Sequence, residues 1–332
     1  MIGLILTGGT IGSAVENGTI NLDARVKLAE IYNRLYPPVD FDIIRPIDTL
    51  SENIQPSDWE MLVKALYGLN TRKYSGIVIA HGSDTLAYTS ALIAMLFADT
   101  DIPICLIASD YPLEDPRSNG TDNLYAAVSL IKSGEKGVFT VYKKYHTAKY
   151  TDIYPAARLI EADTYNDRFS CYGGQIFGRE EGGVIVKNTS LPLLKKRFGK
   201  KIKINSFKNK ILFIRPYPSL DYSAIKTDGY AAAVHYSYHA GTACIVGNKT
   251  SLAEFAKTVK ADIDIYFASL KSEDTALYDT TAQLLKSGVI PVYNISAYAL
   301  FAKALIAYNQ SEYDPKEIML SNLGDEVLPP KF

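Results

Sequence analysis

Several things are scarce in this chain of 332 residues, and each scarcity excludes something. There are three cysteines, Cys105, Cys171 and Cys244, far apart, odd in number and without CxxC spacing. A disulfide scaffold or thiolate zinc site is therefore excluded, and the thiols read as reduced, in a cytoplasmic protein. Charge of either sign is not in excess: 35 basic residues face 36 acidic ones. Nucleic-acid binding by bulk electrostatics and coating of an anionic membrane both lose their basis. No apolar run approaches the ~20 residues of a membrane span. No basic, apolar leader precedes the first apolar strand, so none is expected. No long polar tract suggests disorder. Histidine is rare too, with four in all. His235 and His239 stand at i, i+4 as in a helical zinc site, but the glutamate of H-E-x-x-H and a third ligand are missing, so no metal is expected.

What is present is a chain long enough to bury about three quarters of its unfolded surface. Short apolar runs, at Gly3–Leu6, Phe41–Ile44, Gly76–Ala80, Ile104–Ala108 and Gly137–Val141, read as strands. Amphipathic segments lie between them. One opens on Ser57-Asp58-Trp59-Glu60, which has the form of a capping box; another runs from about Thr85 to Phe97. Repeated β-α-β units predict an α/β fold with a doubly wound parallel sheet. Residues 188–210 carry eight lysines and arginines and read as a basic linker with a flanking helix. Beyond it the alternation resumes, with strands at Ile211–Ile214, Ala243–Val246, Ile263–Ala268 and Val289–Val292. The helices expected there span Ser251–Val259, Thr275–Leu285 and Ala297–Tyr308. The chain thus divides into a large domain at 1–187, the linker at 188–210 and a smaller α/β domain at 211–332.

In doubly wound sheets ligands sit beyond the carboxyl ends of the strands. The first strand delivers Thr7-Gly8-Gly9-Thr10-Ile11, in which paired glycines let amides approach a ligand oxygen. Neither G-x-G-x-x-G nor a P-loop follows, so no nucleotide site is indicated. Thr10 reads as a nucleophile or as a helix cap. The third strand delivers His81-Gly82-Ser83-Asp84-Thr85. Ser83 is a hydroxyl outside any G-x-S-x-G elbow, and Asp84 is a carboxylate or an N-cap. The fourth delivers Ser109-Asp110. Past the fifth lies Thr147-Ala148-Lys149, whose lysine is able to hold a proton beside hydroxyls or to be a surface charge.

Thr7-Gly8-Gly9-Thr10-Ile11 and His81-Gly82-Ser83-Asp84-Thr85 resemble the two signature segments of bacterial-type L-asparaginases, usually TGGTI and HGTDT. Pro112-Leu113, Arg117-Ser118-Asn119-Gly120 and Asn123-Leu124 are similar to the P-L-x3-R-S-D-G-x2-N-L of the cytoplasmic, type I-like branch. Ser287-Gly288-Val289-Ile290-Pro291 resembles the end of the family's smaller domain. The resemblance implies a large flavodoxin-like domain plus a smaller C-terminal α/β domain, in homodimers or homotetramers. It implies hydrolysis of L-asparagine to L-aspartate and ammonia, without a cofactor. By the same resemblance Thr10 is the nucleophile, with Ser83, Asp84 and Lys149 as its catalytic partners. Gly9, Thr19, Ser51, Glu52, Ser109 and Asp110 would bind substrate. Two positions depart from the pattern: Ser83 stands where threonine is usual, and the segment Ala14–Ile20 lacks the family's loop tyrosine, with Thr19 nearest its place. Two alternatives stay open. One is an asparagine-binding sensor or weakly active relative. The other is an amidotransferase relative that releases ammonia for transfer-RNA-linked glutamate, a branch that carries an extra N-terminal domain.

Overall fold

The computed structural model describes residues 1–8, 11, 14–16, 19–21, 27–191, 197–271 and 276–330. It divides into two compact units, Met1–Leu191 and Pro192–Phe332. In the first, β1 (Ile2–Leu6) is buried along its whole length and is followed by a hairpin of β2 (Ala14–Glu16) and β3 (Thr19–Asn21). Then come α1 (Lys27–Leu35), β4 (Phe41–Ile44), α2 (Pro56–Gly68), β5 (Ile77–Ala80), α3 (Leu86–Leu96), β6 (Pro103–Ile107), α4 (Gly120–Lys132) and β7 (Gly137–Tyr142). The strands lie in the order β4-β1-β5-β6-β7, all parallel. Isoleucine, leucine and valine dominate β1, β5 and β6 because both faces are covered, which is why these read as unbroken apolar runs, while β4 at the edge is only half-buried and carries Asp42. Leu28 and Tyr32 of α1 and Leu124, Ala127 and Val128 of α4 pack on one face, against Leu4, Val78, Cys105 and Val141. The other face carries Ile5 and Ile79, also fully buried, and α3 is buried on nearly all sides.

Five further strands in this unit were not legible as such. β8 (Thr151–Pro155) runs antiparallel to β7, and the sheet continues through β11 (Gly178–Glu181) to β12 (Val184–Lys187), with β9 (Leu159–Ile160) and β10 (Ser170–Cys171) paired apart. The doubly wound parallel sheet expected from β-α-β repetition is present, and it carries an antiparallel extension. α2 begins one residue before Ser57. Pro56 holds its first position and Asp58 Oδ2 accepts from the Gln55 amide at 2.7 Å, so the working box is Gln55–Asp58, not Ser57–Glu60.

The second unit contains β13 (Lys210–Ile214), β14 (Tyr230–His235), α5 (Leu252–Val259), β15 (Asp264–Leu270), α6 (Asp279–Leu285), β16 (Ile290–Tyr293), α7 (Ala297–Asn309) and α8 (Pro315–Met319). Its four strands are parallel in the order β13-β14-β15-β16. The strand expected at Ala243–Val246 is absent: those residues are irregular and Val246 is 70% exposed. The strand stands instead at Tyr230–His235, where alanine-rich sequence gives a weak β signal. Thr275, the expected start of α6, lies outside the described residues. Residues 197–209 hold no helix. Ile202, Ile204 and Phe207 turn inward while Lys201, Lys203 and Lys208 stay exposed, and Arg197 and Lys200 pair with Asp325 and Glu317. Among the described residues no helix is long and apolar enough to cross a membrane.

Candidate active site

The chain leaves β1 through α1 to β4 on one side, and leaves β5 through α3 to β6 on the other. Connections that part in this way open a crevice between the carboxyl ends of β1 and β5. Two signature segments emerge there. Thr7 is buried, with its Oγ1 donating to the Ala80 carbonyl at 3.1 Å, and its own carbonyl accepts from the Thr49 amide at 3.0 Å. Gly8 follows at φ +104°, and a Cβ there would lie 2.3 Å from the Thr49 carbonyl oxygen. Conformation and space both demand glycine. Two residues beyond Thr49, Ser51 opens a single 3₁₀ turn, Ser51–Asn53. Its Oγ donates to Asp84 Oδ2 at 2.9 Å and accepts from the Asp84 amide at 3.3 Å, while Thr85 Oγ1 donates to the Ser51 carbonyl at 2.9 Å. The segments after β1, β4 and β5 are thereby tied in sequence: Gly8 on Thr49, Ser51 on Asp84.

Ser51 is buried, whereas Glu52 and Asp84 are exposed and Ser83 is half-buried. Thr85 occupies the N-cap position of α3 without a side-chain cap bond, so the Asp84 carboxylate is not used as a cap. Directly beneath lies His81, wholly buried. Its Nδ1 is 2.7 Å from the Gly82 carbonyl and its Nε2 is 3.0 Å from Thr89 Oγ1, which also accepts from Trp59 Nε1 at 2.9 Å. Burial pushes the imidazole pKa down to about 4.

Ser109 and Asp110 use their side chains on their own loop. Ser109 Oγ donates to the Tyr111 carbonyl at 2.6 Å and lies 2.8 Å from Ser118 Oγ. Asp110 Oδ1 accepts from the amides of Tyr111 and Asn119 at 2.9 and 3.0 Å, and Asn119 Oδ1 accepts from the Asp110 amide at 3.1 Å. Burial raises the Asp110 pKa, and the amides oppose it. Asn123 bridges two strand ends, donating to the Ala108 carbonyl at 2.8 Å and accepting from the Lys143 amide at 2.7 Å.

Lys149 is exposed on the connection from β7 to β8. Among the described residues it forms no hydrogen bond or ion pair, with Ser83 and Asp84 or with anything else. Lys144 and Arg179 instead flank the buried Asp152 at 3.3 and 3.0 Å. Gly9 and Thr10 lie outside the described residues, as does the side chain of Thr19. The Thr19 backbone opens β3, paired with Glu16, so the segment expected as a loop is a hairpin with Asn17-Gly18 between its strands. Asn-Gly between two strands is the strongest short hairpin signal a sequence offers, and it was there to be read. His235 ends a strand and has no helical i, i+4 relation to His239. Among the described residues no group of three metal-binding side chains occurs. Sequence reasoning missed Trp59 and Thr89, whose only mark is helical spacing, and took His81 merely as part of a motif.

Comparison with known proteins agrees with this geometry. The family described as asparaginase, N-terminal, matches residues 1–168. A glutamyl-tRNA(Gln) amidotransferase subunit from Methanosphaera stadtmanae is 24% identical over 340 residues, spanning 98% of this chain and 76% of that one. Among solved structures, the thermostable L-asparaginase from Thermococcus kodakarensis has a TM-score of 0.80 at 23% identity, covering 99% of this chain and 100% of its own. L-asparaginase I from Vibrio cholerae has a TM-score of 0.76 at 22% identity, covering 99% of each. With its glycine turn and its Ser-Asp segment meeting at the switch point of a doubly wound sheet, the chain belongs to the asparaginase family.

Proposed function

We propose that the protein is a cytoplasmic L-asparaginase, converting L-asparagine and water to L-aspartate and ammonia. The observation that carries the reading is the Ser51–Asp84 pair at the switch-point crevice. Ser51 engages one carboxylate oxygen of Asp84 at 2.9 Å, and the exposed side chain keeps acceptor capacity for a substrate ammonium. Glu52, exposed and next to Ser51 in the chain, would be a second carboxylate for the same cation, and Ser51 and its turn would grip the α-carboxylate. Ser109 and Asp110 would act through the backbone they fix, near the substrate amide.

In this reading the Thr10 hydroxyl attacks the side-chain amide carbon and its proton passes to Ser83 and Asp84; Lys149, exposed and without a bond to either, is left out of the relay. Amides of the Gly8-Gly9 turn receive the developing oxyanion. Collapse expels ammonia, which takes the proton, and leaves an aspartyl ester on Thr10. Water then adds to the ester, releasing aspartate and restoring the hydroxyl. No cofactor enters the balance. The segment of Thr19 would cover the bound amino acid, and a homodimer or homotetramer would be the working form, as sedimentation measures.

A second reading rests on the Methanosphaera stadtmanae relative, named as a subunit of a glutamyl-tRNA(Gln) amidotransferase and matched over 98% of this chain. The same chemistry would then feed ammonia to an acceptor. Ammonia release by the purified chain decides. Saturable release from asparagine alone supports the first reading, and release only in the presence of a partner protein and charged transfer RNA supports the second. Tight asparagine binding without ammonia makes the protein a sensor and overturns both.

A further inference from the structure

For a neutral imidazole the bonds around His81 have only one consistent direction. An indole N–H donates and never accepts, so Thr89 Oγ1 must accept from Trp59. A carbonyl only accepts, so His81 Nδ1 carries its proton toward the Gly82 oxygen. The Thr89 hydroxyl proton then goes to Nε2, completing Trp59 → Thr89 → His81 → Gly82 with every member satisfied. His81 and Thr89 are fully buried and Trp59 nearly so. Both ends of this chain matter. The Gly82 carbonyl belongs to the peptide that enters Ser83-Asp84. Trp59 lies in the first turn of α2, a few residues past the Ser51 turn that grips Asp84. One short stretch of chain, from the Ser51 turn to the first turn of α2, therefore holds the same loop at two places: directly through Ser51, and through the buried relay of Thr89 and His81.

We propose that His81 is a positioning residue, held as its Nδ1–H tautomer by Thr89 and Trp59, which fixes the Gly82–Ser83 peptide and thereby aims Ser83 and Asp84 at the substrate. The inference rests on the asparaginase reading for its substrate and on the hydrogen-bond chain for its content. A protonated imidazole is unable to occupy this place without turning the Thr89 hydroxyl away, because Nε2 would become a donor facing a donor. The neutral ring is thus built in, and it acts through the backbone without touching substrate.

The test compares Thr89→Val, Trp59→Phe and Thr89→Ser in the full chain. Valine keeps the shape and deletes the hydroxyl, phenylalanine deletes the indole donor together with part of the buried ring, and serine restores the hydroxyl. Imidazole nitrogen resonances report the tautomer, hydrogen exchange at the Ser83 and Asp84 amides reports the loop, and ammonia release reports function. Expected are loss of the single Nδ1–H tautomer and faster exchange in Thr89→Val, with kcat down about tenfold and KM changed less. Trp59→Phe should lie between that variant and wild type, and Thr89→Ser within about twofold of wild type. A Thr89→Val protein that keeps wild-type kcat and loop exchange overturns the proposal, as does a wild-type His81 with its proton on Nε2. Should Thr89→Val fail to fold, Trp59→Phe and the wild-type tautomer decide the same question. If the wild type releases no ammonia, the asparaginase reading fails by itself, and the tautomer and exchange data still judge the positioning role.

Discussion

The two units place similar materials at the carboxyl ends of their parallel strands and make different things of them. In the first, the direction of winding reverses between β1 and β5, and glycine, serine and aspartate crowd into the opening. In the second, β13 to β16 follow one another in a single direction, and no switch point exists among them. Each unit buries a histidine at a strand end, His81 and His235, and burial pushes each down to about 4. His235 Nε2 lies 2.8 Å from the Tyr222 hydroxyl, and that tyrosine stacks on Phe255 in the core. His81 instead reaches the peptide before Ser83-Asp84. A shifted pKa alone does not mark a site; the place of the residue in the winding does.

The comparison breaks most sharply at the nucleophile. Thr10→Ala should lower ammonia release at least about 10⁴-fold while calorimetry still finds asparagine binding, because only the covalent step is lost. No single alanine at a hydroxyl of the second unit should approach that. Turnover near the wild-type rate in Thr10→Ala would transfer the nucleophile's role to Ser83.

Glycines sharpen it next. Gly8→Ala drives a methyl against the Thr49 backbone at 2.3 Å, at φ +104°, and should cost about 3 kcal/mol of stability together with most of the activity. Gly241→Ala, at φ +72° beyond β14, meets the Leu270 Cδ2 at 2.8 Å, and a side-chain methyl is able to turn aside. About 1 kcal/mol is expected there, with activity kept. Urea midpoints of the two variants compare them directly.

Acid should act on both units alike. The unfolded histidine titrates near 6.5 and the folded one at about 4, so between those values the unfolded chain binds the extra proton. The stabilisation from neutral burial is complete above pH 6.5 and is lost as pH falls toward 4, by about 2 kcal/mol per histidine between pH 7 and 5. His235→Gln should flatten the pH dependence of the urea midpoint by that amount and leave ammonia release unchanged. A slope unaltered in His235→Gln would mean that this imidazole already titrates normally in the folded protein.

How much of this the sequence displayed depends on the range of the interaction. β1, β5 and β6 were legible because burial on both faces writes a continuous apolar run, β4 and β7 because their few residues are mostly apolar, and the segments after β1 and β5 because glycine and aspartate interrupt those runs. β11, with Gly178-Arg179-Glu180-Glu181, carries three charges in four residues, and β14 is half alanine; neither has a strand's composition. The Ser51–Asp84 bond spans 33 residues and the Trp59–Thr89 bond 30, distances over which no local pattern signals a pairing. Lys149 shows the reverse: its place in the chain matched a motif, yet among the described residues it forms no hydrogen bond or ion pair.

The smallest effect belongs to Ser83. Its Oγ forms no hydrogen bond among the described residues, and the side chain is half-buried, so its χ1 is held by little. Serine divides its time among three staggered wells; threonine's second γ-substituent removes most of that freedom. If one well aims the hydroxyl at the reacting amide, choosing it from three equal ones costs RT ln 3, about 0.6 kcal/mol, or threefold in rate. Ser83→Thr should therefore raise kcat by at most about threefold without moving KM, provided the added methyl finds room beside the crevice. A fall in kcat would mean that the methyl meets the neighbouring loop and that serine is there for space. An unchanged kcat, with the threonine rotamer seen fixed beside bound aspartate, would mean that the orientation of this hydroxyl does not limit the reaction.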